Sequence, residues 1–281
     1  VQKGDVTGME IMFTKLQGNG NDFILVDEME GLVIPEEMKG DFAALYCDRR
    51  FGIGGDGVLY LSPSEKANLK MRLFQPDRSE AEMCGNGIRC FVRYAVDTGY
   101  VRDACKVETL AGIISVRMGY KEDTFMAAVD MPAPRFQRED IPATGEGTYH
   151  EMIEGLEVRA VNIGVPHAVV IVDDIEKAEV MKIGPIIRHH PHFPRGTNVN
   201  FVQHIGENAL RIRTFERGVE GETLSCGTGA TASAVLLHQM GVVGETVQVE
   251  TEGGPLIIYL QDGAVLEGPA EPVFVGAISI T

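Results

Sequence analysis

Cys84-Gly85-Asn86-Gly87 and Cys226-Gly227-Thr228-Gly229 are two versions of one tetrad, 142 residues apart in a chain of 281. The same offset, without a gap, pairs Gly99 with Gly241, Val101 with Val243, Val107-Glu108-Thr109 with Val249-Glu250-Thr251, and Gly112 with Gly254. Nine identities at one offset of half the chain length read as a duplicated domain. Upstream the register slips by one, where residues 56–61 face residues 197–202, each a short apolar run after a glycine-rich loop.

Outward from the tetrads, each copy reads as strands, a loop ending in the cysteine, one helix and further strands. After Cys84, the residues Ile88, Phe91, Val92, Ala95 and Val96 fall on one helical face, and Gly99 stops the run. After Cys226, residues 230–237 are apolar or small almost all round, the pattern of a buried helix. β-branched runs predict strands over 23–26, 57–61, 113–116, 168–172, 199–202, 247–250, 256–259 and 273–280. The proline-rich stretch 131–142 interrupts both periodicities and reads as the boundary between the halves. The expected class is α+β, two pseudo-symmetric domains, each a mixed sheet curled round a central helix.

Composition narrows the function. At roughly 150 residues per domain, the length fits two domains with separate cores. Hydrophobic residues at 44% and charged residues at 23% are globular values and exclude a disordered chain. A net charge of −16 argues against nucleic acid or an anionic membrane surface as partner. No apolar run approaches 18 residues, and residues 1–8 lack the apolar core of a signal peptide. A cytoplasmic protein is expected, with Met9 as its natural start. Five cysteines without a CxxC pair fit neither a disulfide framework nor a zinc knuckle, so reduced thiols are expected.

A cysteine followed by Gly-x-Gly at a helix mouth occupies a particular electrostatic position. The glycines permit a tight turn with outward N–H groups, and the helix dipole adds partial positive charge. Such a site lowers a thiol pKa and binds a carboxylate. If a pseudo-twofold axis relates the halves, the two mouths face each other across the domain cleft, one thiol on each side of a bound anion. That arrangement suits inversion of a stereocentre next to a carboxylate, with a thiolate as base and a thiol as acid.

A lone cysteine before an apolar helix is ordinarily a small buried hydrophobe. Two at equivalent positions of a duplication point instead to function. Cys47, Cys90 and Cys105 lack this equivalence, since Cys90 faces Ala232 and Cys105 faces Val247, and they read as core or surface thiols. A Cys–His hydrolase built on His167 leaves the second tetrad idle. His189-His190-Pro191-His192 has no nearby acidic or cysteine partner and reads as a solvated loop, so no metal is expected. The glycine-rich stretches 18–20 and 52–57 lack phosphate-loop spacing. No cofactor is signalled.

Gly20-Asn21-Asp22-Phe23, Gly52-Ile53-Gly54-Gly55-Asp56-Gly57, Ser79-Glu80-Ala81-Glu82-Met83 leading into the first tetrad, Ile88-Arg89-Cys90 after it, Pro166-His167, Gly196-Thr197-Asn198-Val199, and Glu216-Arg217-Gly218 before the second tetrad form a highly specific set. Together they resemble the diaminopimelate epimerases, cofactor-independent enzymes that interconvert LL- and meso-diaminopimelate for lysine and peptidoglycan-precursor synthesis. Asn86 favours that branch over proline racemase-like proteins, which typically carry His there. The resemblance implies that Cys84 and Cys226 are the acid–base pair and that the amides of Gly85, Asn86, Gly227 and Thr228 hold the α-carboxylate. It implies that His167 and Glu216 position or polarise groups near the reacting centre. Asn21, Asn198 and Arg217 resemble substrate ligands, Arg217 by a forked contact with the distal carboxylate. Read singly, Arg217 is a surface ion pair, His167 a satisfied core histidine and the asparagines turn formers.

The resemblance further implies that the last dozen residues return to the first domain, giving domains of 1–128 plus 270–281 and of 129–269. The active site is then in the interdomain cleft, with no cofactor, an amino-acid substrate and a homodimer. Three features depart from the family pattern. Gln75 stands where a substrate-binding asparagine is usual, Val165 precedes Pro166-His167 where many members have asparagine, and Glu220 reads as an extra residue between Arg217 and Cys226. The first two bear on the distal end of the substrate. A racemase of another amino acid, and a non-catalytic amino-acid-binding protein of this fold, stay open beside diaminopimelate.

Overall fold

Residues 9–280 are described by the computed structural model; residues 1–8, expected to lie before the natural start at Met9, and Thr281 lie outside the described residues. The chain divides into two units. One runs to Phe125 and takes back the chain from Ala270; the other is Met126–Pro269.

The first unit contains β1 (Met9–Gly18), β2 (Asn21–Asp27), α1 (Lys39–Tyr46), β3 (Gly57–Ser62), β4 (Leu69–Phe74), β5 (Glu80–Ala81), α2 (Gly85–Asp97), β6 (Ala104–Thr109) and β7 (Gly112–Lys121). Then β8 (Thr124–Asp130) carries the chain into the second unit. That unit contains β9 (His150–Ile153), β10 (Leu156–Asn162), β11 (Pro166–Ile171), α3 (Val180–Arg188), β12 (Asn198–Gly206), β13 (Ala209–Glu216), β14 (Gly221–Thr223), α4 (Gly227–Gln239), β15 (Thr246–Thr251), β16 (Gly254–Tyr259) and β17 (Val265–Pro269). Finally β18 (Glu271–Ile280) returns to the first unit and lies antiparallel to β1.

The duplication is written in the strand pairing. In the first unit β1 is antiparallel to β2, β2 parallel to β3 and β3 antiparallel to β4; β4 is antiparallel to β5 and parallel to β6, which is antiparallel to β7. The series β10 to β16 repeats each of these steps in the same order and sense. Parallel neighbours need a crossover, and helices supply it: α1 and α2 in the first unit, α3 and α4 in the second. The sequence offsets reappear as register, with Leu69 beside Val107 in one ladder and Leu210 beside Val249 in the other.

Ion pairs repeat as well. Arg72 grips Glu80 through Nε at 2.6 Å and Nη2 at 2.8 Å, and Arg213 grips Glu222 through the same atoms at the same distances. The arginines are offset by one residue less than the glutamates, so relative to the first copy the second carries one extra residue between Arg213 and Glu222.

Each sheet is folded onto a helix. α2 packs against β1 to β4 and β18 and buries Ile88, Phe91, Val92 and Ala95. α4 packs against β10 to β13 and β15 to β17, and every residue from Gly229 to Leu237 is buried, as its all-round apolar sequence requires. The stretch 131–142 lies within the second unit, tied by bridges of Arg135 to Asn162 and Gln137 to Thr148. The chain crosses between units earlier, between Phe125 and Met126, because β8 is one continuous strand whose later residues pair with β17. Among the described residues no helix is long and apolar enough to cross a membrane.

One buried ion pair anchors α1. The Lys39 ammonium, almost inaccessible, donates to Glu28 at 2.6 Å and Glu36 at 2.8 Å, while Glu28 also accepts the N–H groups of Val33 and Ile34. Breaking such a pair from one side strands a charge in low dielectric. Lys39→Met is expected to cost about 3–5 kcal/mol in urea unfolding at pH 7, and adding Glu28→Gln is expected to recover most of it.

Candidate active site

The first tetrad caps α2. Cys84 is its N-cap, in extended conformation, and the Gly87 N–H donates to the Cys84 sulfur at 3.4 Å. Opposite the thiol stands Asn21, whose Oδ1 is 3.6 Å from Sγ and accepts from Asn86 Nδ2 at 3.3 Å. The Asn21 amide is oriented from behind, because its Nδ2 donates to Asp56. Asp56 is held by Arg49 at 2.9 Å, and Arg49 clamps Asp22 with two bonds of 3.0 and 2.6 Å. Burial alone raises the Asp22 pKa, but hydrogen bonds from Arg49 and Lys15 outweigh it and hold the carboxyl at about 2. A rigid ionic frame thus fixes the carbonyl that faces Cys84.

Below the same mouth lies Arg89, fully buried, donating to Asn86 Oδ1 at 3.0 Å, Gly85 O at 3.3 Å and Asn19 Oδ1 at 2.6 Å. Burial lowers its pKa to about 10, which leaves it charged at neutral pH, one side chain away from the thiol. Arg89, Asn19 and Asp56 were not singled out from sequence as site residues. Arg89 carried a signal, a charged residue inside the helical run that Ile88 and Phe91 mark as buried.

The second tetrad stands at the start of α4. Cys226 is the N-cap, also extended and buried, with its sulfur 3.4 Å from Thr228 Oγ1. Gly229 comes so close to β12 that a Cβ there would lie 2.2 Å from Asn200 Oδ1 and 3.3 Å from the Cys226 Cβ. Asn200, buried, donates to His167 Nδ1 at 3.1 Å and Ala168 O at 3.0 Å. The cluster at this mouth is therefore Cys226, Asn200 and His167, and Asn200 is a member that sequence reading missed. The sign of it was a polar side chain in the otherwise apolar run 199–202.

His167 is fully buried. Desolvation, then the nearby Arg217 charge, lowers its pKa to about 3, so the ring is neutral at pH 7. Asn198 spends both polar ends on backbone, donating to Pro166 O at 3.2 Å and accepting from Arg217 N–H at 2.8 Å. It fixes the start of the 217–220 turn. The Arg217 guanidinium reaches Arg195 O at 3.3 Å, and Glu216 is half-buried at the end of β13. Gln75 is exposed in the first unit, in a turn where its Oε1 accepts from Ser79 Oγ at 3.0 Å. Gly85 and Asn86 begin α2 and Gly227 and Thr228 begin α4, so in each case their N–H groups belong to a helix first turn.

The remaining thiols are of another kind. Cys47, Cys90 and Cys105 are buried, and desolvation pushes them up to about 12, 12 and 11. Among the described residues no group of three or more His, Cys, Asp or Glu side chains could hold a metal ion.

Known proteins match this chain over nearly its whole length. The diaminopimelate epimerase family profile fits residues 13–136 and 159–273. The chain belongs to the diaminopimelate epimerase family. The diaminopimelate epimerase of Methanothrix thermoacetophila is 54% identical over 272 residues, 96% of each chain. Among solved structures, a PhzF-family phenazine biosynthesis protein of Bacillus anthracis superposes with a TM-score of 0.73 at 17% identity, over 97% of this chain and all of its own. A hydroxyproline epimerase of Agrobacterium vitis gives 0.66 at 16% identity, over 96% of this chain and 92% of its own. Those two likenesses are of fold.

Two outcomes follow from the ionisation pattern. Brief alkylation of the native protein at pH 8 is expected to modify neither Cys47 nor Cys90 nor Cys105, and peptide mass spectrometry reads the sites directly. The unfolded His167 takes up a proton below about 6.5 and the folded ring only near 3. Its contribution to stability is complete above pH 6.5 and is lost as the pH falls towards 3. The urea midpoint of His167→Gln is expected to fall less between pH 7 and pH 4 than that of the unaltered chain.

Proposed function

We propose that this protein interconverts LL- and meso-2,6-diaminopimelate without a cofactor, Cys84 and Cys226 passing a proton across one α-carbon. The observation that carries the reading is the equivalence of the two thiols: each is the extended N-cap of the central helix of one copy, in a chain of this family. The three other cysteines are held far from ionisation.

In the reaction, one thiolate takes the α-proton: the C–H bond breaks, an S–H bond forms, and the electron pair moves into the adjacent carboxylate. The other thiol then gives its proton to the opposite face of the carbon and becomes the thiolate. Reversal of direction exchanges the roles. The N–H groups of Gly85, Asn86, Gly227 and Thr228 suit the carboxylate, where negative charge accumulates. Glu216 serves the ammonium group, and Asn21, Gln75 and Arg217 serve the remainder of the substrate, Arg217 as partner of the distal carboxylate, while Asn198 serves it by fixing the turn that carries Arg217. The working form in this reading is a cytoplasmic homodimer, and the product supplies lysine and peptidoglycan-precursor synthesis.

Reduced protein incubated with LL-diaminopimelate in D2O is expected to place deuterium at one α-centre as the meso isomer forms, followed by NMR and chiral chromatography. Cys84→Ala and Cys226→Ala are each expected to lower epimerisation by at least about 10³-fold, since either loss breaks the two-face exchange. Full turnover by either variant overturns the mechanism. Exchange with another amino acid but not with diaminopimelate transfers the chemistry to a different substrate and points to Gln75 and Val165.

A further inference from the structure

The His167 ring is held by a side chain whose orientation admits one assignment. The Asn200 amide touches Ala168 O at 3.0 Å, and a backbone carbonyl only accepts, so the atom facing it is Nδ2. The Thr214 hydroxyl donates to Asn200 Oδ1 at 3.0 Å, which agrees. The second Nδ2 hydrogen then points to His167 Nδ1 at 3.1 Å. A nitrogen that accepts a hydrogen bond carries no proton, so in the neutral ring the proton is on Nε2. That Nε2 atom is buried and has no hydrogen-bond partner among the described residues. A buried donor without an acceptor costs about 1–3 kcal/mol, and folds retain such a group where a ligand satisfies it.

The first unit shows what the fold needs at these two positions. Phe23 pairs with Gly57 as His167 pairs with Asn198, and Leu59 follows Gly57 by two as Asn200 follows Asn198. Phe23 and Leu59 are therefore the counterparts of His167 and Asn200. Leu59 meets Gly87 as Asn200 meets Gly229, and a Cβ on Gly87 would lie 3.5 Å from both Leu59 Cδ2 and the Phe23 ring. An apolar pair satisfies the packing, and the polar pair stands at one mouth only.

We propose that Asn200 is a positioning residue that holds His167 as its Nε2–H tautomer, making the ring a fixed hydrogen-bond donor to the substrate carboxylate rather than a proton-accepting base. The donor role rests on the function proposed above; the tautomer rests on geometry alone. With the α-proton gone, the carboxylate gathers charge, and a donor whose tautomer is fixed beforehand needs no reorganisation to meet it.

The test is NMR of protein labelled with 15N-histidine, the His167 signals being those missing from His167→Gln. The unaltered chain is expected to show a neutral Nε2–H ring from pH 5 to pH 9. Asn200→Leu, which copies the first unit, is expected to fold, to show mixed tautomers, and to lose about 10- to 100-fold in kcat. Asn200→Asp, an acceptor, is expected to move the proton to Nδ1. His167→Gln, whose amide still donates, is expected to retain at least ten times the kcat of His167→Ala. An Nδ1–H ring in the unaltered chain, titration of His167 near pH 6–7, or unchanged kcat in Asn200→Leu with altered tautomers overturns the proposal. Equal loss in the two His167 variants restores the base. Absence of any turnover of diaminopimelate by the unaltered protein defeats the function, while the spectra still decide the tautomer.

Discussion

Everything at either helix mouth depends on how closely the helix N-terminus presses onto the strands beneath it. The last glycine of each tetrad sets that distance. Against Gly87 stand Leu59 and Phe23 at van der Waals range, and against Gly229 stands Asn200 with no room for a methyl group. At Gly229 any side chain lifts the first turn away from the sheet, and with it the cysteine, the orphan N–H groups and the positive end of the dipole, while at Gly87 the contacts are ordinary packing. The tetrad is thus a packing device first, and its electrostatics follow from the packing.

Duplication supplied one scaffold twice, and the copies then diverged where side chains reach the mouths. The shared elements are backbone and pegs: the same ladder order, the same two-pronged Arg–Glu pairs, the same left-handed glycines at 99 and 241 and at 112 and 254. Differences that bear on chemistry stand under the cysteines. Arg89 faces Thr231 in the alignment, Phe23 faces His167, and Leu59 faces Asn200. The first mouth has a buried cation beneath it and a carbonyl in front of the thiol; the second has a neutral imidazole and an amide. Two chemically equivalent sulfurs are thereby placed in unlike surroundings, which a reaction between non-identical isomers tolerates and a symmetric one does not require.

The two helices, the duplication and all eight strand runs were legible because their signals are local: a fixed offset, one apolar face, β-branched clusters. β4 and β13 were harder, since Leu-Lys-Met-Arg-Leu-Phe and Ala-Leu-Arg-Ile-Arg-Thr-Phe-Glu alternate but carry two positive charges on one face, Lys70 and Arg72 in the first and Arg211 and Arg213 in the second. Those charges are the ion pairs to Glu80, Glu108, Glu222 and Glu250, visible only once the partner strands are in place. β1 was hidden by Lys15, a buried lysine that makes sense only beside Asp22. At the site, residue types with a family precedent were readable, whereas Asn200 and Arg89 act through other side chains. Their meaning lies in hydrogen-bond direction, which no spacing encodes.

The pairing of β1 with β18 sets an order of events during synthesis. Phe13 lies across Gly276, where a Cβ would collide with its ring, and Ile278 joins Ile11 and Phe13 in one buried cluster, so β18 completes that core. Yet β18 leaves the ribosome after the whole of the second unit. The first unit emerges first and must wait, its sheet one strand short along β1, while the second unit is made as a single uninterrupted stretch of chain. The half with the earlier start completes last, and until then β1 presents an unpaired edge that chaperones can recognise and aggregation can exploit.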